Sequence, residues 1–251
     1  MAVLEERPVR LEFFPITGVP EIPSGCALGA VLLQCLEQAA VDLGPQDIVA
    51  VAQKVVSKAE GRVVRLAEIE PSKRALGIAG ETGKDARMVE VILRESRRIV
   101  RRRGDIVISE THHGFICANA GVDRSNVDGG EAVTLLPLDP DRSARRLAEE
   151  LGCGIIITDT FGRAWREGLL DTTIGLAGVP PFVDFRGTTD RYGYPLQASI
   201  LAAVDGLAAA AGLVMGKTEQ IPAVVIRGFT WTRGDSSAQA LLRPTHKDLF
   251  L

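Results

Sequence analysis

The order in which strand-like and helix-like segments follow one another limits the fold of this chain more than any single motif. Residues 11–16 read as a first strand, closed by the turn G-V-P-E-I-P-S-G at 18–25. Residues 27–43 have helical periodicity and stop at Gly44-Pro45. Residues 47–52, D-I-V-A-V-A, form a continuous apolar strand leading into Q-K-V-V-S-K-A-E-G. Two helices are predicted over 71–78 and 85–103, the second ending in R-R-I-V-R-R-R. Residues 105–110 alternate apolar and polar like a half-buried strand, and 132–136 form an apolar run. A helix over 143–151 opens at Asp139-Pro140-Asp141, and G-I-I-I-T at 154–158 is a strand. Residues 182–185 suggest another strand, before the loop R-G-T-T-D-R-Y-G-Y. An Ala-rich helix over 195–215 and a late strand at 223–226 complete the order. This mixture lacks the regular β-α alternation of a doubly wound sheet. It predicts a mixed α/β (α+β) fold, with helices packed on mixed sheets and neither a P-loop nor a Rossmann architecture. At 251 residues the length suits one large domain or two small ones. Without an internal repeat or long linker, a single domain over 1–251 is expected, with room for two subdomains.

Composition narrows the class. Hydrophobic residues make up 46% and charged residues 24%, as in an ordinary soluble globular protein. The 29 basic and 32 acidic residues leave a net charge of −3, which gives no reason to expect nucleic acid as a partner. Cys26, Cys35, Cys117 and Cys153 form no C-x-x-C pair and no zinc spacing, so they read as reduced thiols in a cytoplasmic protein. The opening M-A-V-L-E-E-R-P-V-R has no apolar leader core, and secretion is not expected. Residues 200–215 are apolar, but the 16 residues include Asp205 and fall short of the roughly 20 that a membrane span needs. They predict a helix packed within the protein or against a second subunit. The basic run Arg97 to Arg103 has two readings: a solvated helix end, where cations are favourable, or an electropositive rim for a phosphorylated substrate.

Two stretches carry candidate chemistry. Cys117 to Asn126, C-A-N-A-G-V-D-R-S-N, is small, polar and turn-forming, and holds Asp123 with Asn119 and Asn126. A loop so free of bulk lets ligand oxygens approach the backbone, although Gly, Asn and Asp are also ordinary hairpin-turn residues. The second stretch is Asp159-Thr160, at the end of the 154–158 strand. A rigid strand fixes such a carboxylate and leaves space beyond it for water and substrate. The alternative is that Asp159 caps the next turn. Oxygen ligands without His or Cys favour Mg²⁺ or Mn²⁺ over zinc, and these ions usually arrive with phosphates.

Other patterns exclude. G-L-V-M-G-K-T at 212–218 resembles a Walker A motif, but has one residue too few between its glycines and a helix-before-strand context. Gly216, Lys217 and Thr218 still form a turn rich in backbone N–H groups, suited to phosphate. In an extended strand the adjacent His112 and His113 would point to opposite faces and could not readily share a metal. There is no G-x-S-x-G elbow and no G-x-G-x-x-G fingerprint.

Several phrases together carry a resemblance: V-A-Q-K-V-V-S-K-A-E-G-R, G-F-I-C-A-N-A-G-V-D-R-S-N, L-L-P-L-D-P-D-R-S-A-R-R, I-I-T-D-T-F-G-R-A-W-R-E-G and L-V-M-G-K, in that order. Over residues 14–229 the chain resembles the coenzyme F420-0:L-glutamate ligase family. The resemblance implies an enzyme that adds L-glutamate to coenzyme F420-0 through γ-glutamyl amide bonds, using GTP and Mg²⁺ or Mn²⁺, and acting as a homodimer. It implies Asp123, Asp159 and Thr160 as metal ligands and Asn126 as a nucleotide contact. It places further nucleotide contacts at Val19, Pro20, Glu21 and Ile22, at Gln53 and Lys58, and over Met215, Gly216, Lys217, Thr218, Glu219, Gln220 and Ile221. Where this chain has Lys217, some members have a Gln that is similar to an additional metal ligand, and an ammonium cannot replace that ligation. Some bacterial relatives fuse such a domain to a nitroreductase-like domain, so a free-standing ligase and the N-terminal half of a fusion are both expected forms. Two other classes use the same residues: a metal-dependent nucleotide phosphohydrolase and a non-catalytic nucleotide-binding module.

Overall fold

The computed structural model describes residues 10–249. The stretch read above as lacking a leader core therefore lies, but for Arg10, outside the described residues. The chain begins with β1 (Glu12–Ile16), α1 (Leu28–Gln38), β2 (Ile48–Ala52), α2 (Gln53–Ala59) and β3 (Val63–Arg65). It continues through α3 (Lys73–Thr82), α4 (Ala86–Arg94), β4 (Ser96–Arg103), β5 (Ile106–Thr111), β6 (Ile116–Ala118) and β7 (Ala132–Thr134). The remainder is α5 (Pro140–Leu151), β8 (Gly154–Arg163), β9 (Arg166–Ala177), β10 (Val183–Asp184), β11 (Ile200–Leu201), α6 (Ala203–Met215) and β12 (Ala223–Arg227).

The expected mixed α/β class is what forms. The principal sheet has the order β1-β12-β2-β8-β9, with β2 and β8 parallel and the other neighbours antiparallel. Both of its faces are covered, which is why its inner strands are apolar throughout. On one face Val49, Val51, Ile155, Ile157 and Val225 pack against Leu32 and Leu36 of α1 and Ala144 and Leu147 of α5. On the other, Ile48, Ala50, Ile156, Val224 and Ile226 pack against Val204, Leu207, Ala208 and Ala211 of α6. A third cluster, including Leu66, Ile78, Val89, Ile92 and Val107, lies between α3–α4 and the sheet β4-β5-β6. Among the described residues no helix is long and apolar enough to cross a membrane.

Local chemistry sets the ends of α5. Asp139 accepts from the Arg142 amide at 2.9 Å, Pro140 opens the helix, and Gly152 closes it in the left-handed region. Its buried Asp141 turns inward. One carboxylate oxygen accepts from the Leu176 and Ala238 amides at 2.8 and 3.0 Å, and the other from the Ser237 hydroxyl at 2.5 Å. This side chain ties α5 to β9 and to the C-terminal segment.

Several expectations need correction. The helix predicted over 85–103 stops at Arg94, and the basic run is the edge strand β4. Glu110 on β5 accepts from Arg97 and Arg98 at 3.1 and 2.6 Å, so strand pairing with a carboxylate partner decides the conformation, and a charged edge discourages further pairing. The run is therefore not a helix end. The helix expected over 27–43 ends at Gln38, because Ala40 enters the left-handed region. That over 71–78 is shifted to Lys73–Thr82 between a Ser72 cap and Gly83. The Ala-rich helix begins at Ala203 and not at 195, since residues 200–201 pair with the short β10. The Cys117–Asn126 loop is not the turn of a hairpin between its flanking strands, the ordinary alternative for its Gly, Asn and Asp residues: β5 pairs with β4 and β6, and β7 with β3. His112 and His113 sit in a turn, their Nε2 atoms 2.8 and 2.9 Å from the Arg94 and Pro137 carbonyls. Finally, β8 runs on to Arg163, so Asp159 and Thr160 lie inside a long hairpin, not at a strand end or a turn.

Replacing Asp141 with Ala orphans two buried amides, each worth about 1–3 kcal/mol, and denaturant unfolding is expected to show a loss of about 2–4 kcal/mol. Asp141→Asn keeps an acceptor oxygen for both amides and is expected to lose less than half as much.

Candidate active site

Asp123 is pinned by its own backbone, exchanging hydrogen bonds with Thr134 of β7 at 3.0 and 2.8 Å. Its side chain closes a small turn: Oδ1 accepts from the Ser125 amide at 2.8 Å, and Oδ2 from the Ser125 hydroxyl at 2.7 Å. Lys54, in the first turn of α2, donates to the same Oδ2 at 2.7 Å and to the Ser125 carbonyl at 2.8 Å. Burial alone would raise the Asp123 pKa, but Lys54 and the Ser125 donors outweigh it and hold the carboxyl below its ordinary value. Arg124 fastens the loop to Asp85, the cap of α4, at 2.9 Å. Upstream, Asn119, Ala120 and Gly121 occupy the left-handed region in succession, and the Asn119 Oδ1 is buried without a partner. Non-glycine residues there store roughly 1–2 kcal/mol each, a strain that tends to collect at functional loops.

Asp159 approaches from β8. Strand alternation places it on the face of Ile157 and Phe161, which pack in the α1–α5 cluster. Burial, then the negative charges of Asp123 and Asp171, push its pKa up to about 7, against the Thr160 amide and Lys54. Thr160 takes the opposite face. Its hydroxyl donates to Asp171 Oδ1 of β9 at 2.5 Å and accepts from Lys217 Nζ at 2.7 Å.

The three predicted contact turns are also placed. Lys58 of α2 donates to Glu21 at 2.5 Å, joining the 19–22 turn to α2. Ile22 is buried in the core with Val19 packed beside it, while Pro20 is exposed. Gln53 is buried and accepts from Ser57 within its own helix, so its side chain faces inward. Asn126 is exposed, with a left-handed backbone. After buried Met215, the Lys217 and Thr218 amides both donate to Glu219 Oε2 at 2.8 Å. Gly216 makes this possible, because a Cβ there would collide with that oxygen. The Glu219 carboxylate thus occupies a nest of backbone N–H groups of the type that binds anions, and these bonds lower its pKa. Gln220 has a left-handed backbone, and Ile221 packs against the α6 cluster. Lys54, Ser125 and Asp171 were missed from sequence. Lys54 stood within the quoted Q-K-V-V-S-K, but Asp171 is brought to Thr160 only by the β8–β9 register.

No group of three or more His, Cys, Asp or Glu side chains gathers among the described residues. Two carboxylates on separate segments remain, one of them with a pKa raised by burial and, to a lesser extent, by its negative neighbours. That donor set fits Mg²⁺ or Mn²⁺, which need only one or two carboxylates when phosphates and water complete the shell. Asp123 and Asp159 would hold the ion.

The mixed α/β fold thus sets two carboxylates beside Lys54, with Lys217 and an N–H nest at the end of α6. The chain belongs to the F420-0:Gamma-glutamyl ligase family, whose model matches residues 18–228. It is 46% identical over 244 residues to the coenzyme F420:L-glutamate ligase of Methanothermobacter thermautotrophicus, covering 94% of this chain and 96% of that protein. It is 48% identical over 220 residues to that of Methanopyrus kandleri, with 83% and 87% covered. For Archaeoglobus fulgidus the identity is 38% over 248 residues, covering 96% of both chains.

The raised Asp159 pKa carries a stability consequence. Between the ordinary value of 3.8 and about 7 the folded state keeps this proton while the unfolded chain gives it up, so stability falls progressively across that window and is lowest once pH has risen through 7. Asp159→Asn removes this loss, so the Tm of the variant relative to wild type, both metal-free, is expected to be higher at pH 8 than at pH 5 by roughly 2–8 °C, about 1–2 kcal/mol. Calorimetry at the two pH values checks this.

Proposed function

We propose that the chain is a GTP- and divalent-metal-dependent ligase that joins L-glutamate to coenzyme F420-0 through γ-glutamyl amide bonds. The observation that carries the reading is the convergence of Asp123 and Asp159 from distant segments, with a charge imbalance that a cation would relieve. The family membership and the names of the relatives supply the substrate class.

A carboxylate is a poor electrophile, so amide formation needs a leaving group. In the proposed sequence the γ-phosphoryl of GTP passes to the terminal carboxylate of the acceptor, giving an acyl phosphate and GDP. The α-amine of glutamate then attacks the acyl carbon, the C–O bond to phosphate breaks, and the amine gives up a proton. A bound Mg²⁺ or Mn²⁺ would offset the repulsion between phosphate oxygens and the acceptor carboxylate. The chain's own groups bind and orient. Asp123 and Asp159 hold the cation, and Lys54 fixes Asp123 and adds positive charge. Lys58 organises the 19–22 turn, and the 216–219 nest exchanges the Glu219 carboxylate for a phosphate oxygen. Asn126 and the remaining residues of these turns complete the proposed nucleotide surface. The Thr160 hydroxyl, expected as a metal ligand with Asp123 and Asp159, donates to Asp171 and accepts from Lys217 on the other face of β8. Positioning and fixed charge supply most of the rate.

Four cysteines without disulfides suit a cytoplasmic enzyme, and we read the chain as one ligase domain working as a homodimer. Light scattering at micromolar concentration is expected to give twice the chain mass; a monomeric mass contradicts the dimer.

Purified protein with GTP, Mn²⁺, L-glutamate and F420-0 is expected to yield a product heavier by one or more glutamyl units, by mass spectrometry. Asp123→Asn and Asp159→Asn should each reduce the rate by about 100-fold or more while the fold persists, because each removes a charged ligand. GTP hydrolysis indifferent to acceptor and glutamate would favour a phosphohydrolase. GTP binding without turnover would favour a binding module.

A further inference from the structure

On the α6 face of the β8–β9 hairpin, opposite Asp159, lies a second oxygen seat. Asp171 Oδ1 and Thr160 Oγ1 stand 2.5 Å apart, and the Asp171 side chain is only 11% exposed. The seat is built into the fold. Register pairs Thr160 with Asp171 across the hairpin, and Gly212 of α6 leaves room for the carboxylate, since a Cβ there would lie 2.6 Å from Asp171 Oδ2. A carboxylate beside a hydroxyl is a donor pair suited to a hard cation. Here the chain provides the cation itself. Lys217 Nζ is 2.7 Å from Thr160 Oγ1 and 3.7 Å from Asp171 Oδ1, although its side chain is 68% exposed and free to point into solvent. Among the described residues no other ion pair to Asp171 is formed.

The backbone explains why the ammonium arrives there. Lys217 follows the end of α6 and donates its own amide to the anion held in the 216–219 nest. One residue therefore touches both the nest and the β8–β9 seat. Any anion in the nest lies near a positive charge fixed by covalent structure and present at every metal concentration.

We propose that the Lys217 ammonium is the resident cation of the Thr160–Asp171 seat, so that this chain takes a single divalent ion, at Asp123 and Asp159. The proposal rests on the metal-dependent reading only for that first ion. The second seat is a separate claim about Lys217, Thr160 and Asp171. A divalent ion using both oxygens must displace the ammonium, because Nζ already lies 2.7 Å from Thr160 Oγ1 and a second positive charge at contact distance is repelled. Removing the charge while keeping a polar side chain should open the seat to metal.

The test counts and locates Mn²⁺ in wild-type protein, Lys217→Gln and Lys217→Gln/Asp171→Asn. Electron paramagnetic resonance gives bound ions per chain, and anomalous scattering from crystals soaked in Mn²⁺ gives their positions. Lys217 is exposed, so Lys217→Gln is expected to fold normally, with an unchanged near-ultraviolet circular dichroism spectrum. Wild type should show no manganese between Thr160 and Asp171. Lys217→Gln should gain about one Mn²⁺ per chain at that place, and the double variant should lose it again. Manganese in the wild-type seat, or no gain in Lys217→Gln, overturns the proposal. Occupancy at Asp123 and Asp159 is read separately in the same maps, so failure of the first metal site is distinguishable from failure of this one.

Discussion

Negative charge in a dehydrated place must be balanced, and the buried carboxyl of Asp159 lies within reach of the negative charges of Asp123 on one side of the β8–β9 hairpin and Asp171 on the other. Lys54 settles on Asp123, and Lys217 reaches Thr160 and Asp171 from the end of α6. The Asp159 carboxyl is buried and feels two negative neighbours, with only the Thr160 amide and Lys54 in its favour, and these causes, burial first, push its pKa up to about 7. A rigid scaffold is needed to sustain this. The parallel β2–β8 pair, buried on both faces, fixes β8, and the Asp123–Thr134 bridge fixes the opposing loop.

The β8–β9 hairpin divides the chemistry between its two faces. Because neighbouring side chains on a strand alternate, Asp159 and Thr160 serve different faces although they are adjacent in sequence. Asp159 looks toward Asp123 and α2. Thr160 looks toward Asp171, Lys217 and the N–H nest. A phosphate chain reaching from the nest toward α2 would meet a fixed ammonium on one side and the proposed divalent ion on the other. Asn119 and Ala120 hold strained left-handed backbone, and the Asn119 oxygen is buried without a partner, in the loop that leads to Asp123.

Much of this was legible in the sequence. The apolar runs at 47–52, 154–158 and 223–226 are the inner strands, and Asp139-Pro140 with Gly152 frames α5 as capping chemistry requires. The Asp123 loop and Asp159 stood out because carboxylates among small turn residues, or beside a rigid strand, are chemically conspicuous. The basic run did not read correctly. Arginine has good helix propensity, and the periodicity of α4 runs into it, whereas pairing with β5 through Glu110 is tertiary information. Asp171 was invisible for the same reason: strand register, not local pattern, brings it to Thr160. The nucleotide-contact residues came from family resemblance alone.

The central claim is that Asp123 and Asp159 accept one divalent cation and that Asp159 gives up its proton to do so. Titration calorimetry with Mn²⁺, in buffers of different ionisation enthalpy, measures the protons released on binding. With a carboxyl that titrates near pH 7, the account predicts about one proton released per ion at pH 6, almost none at pH 8.5, and none at either pH in Asp159→Asn. Binding at pH 6 without proton release, or unaltered release in Asp159→Asn, would contradict it.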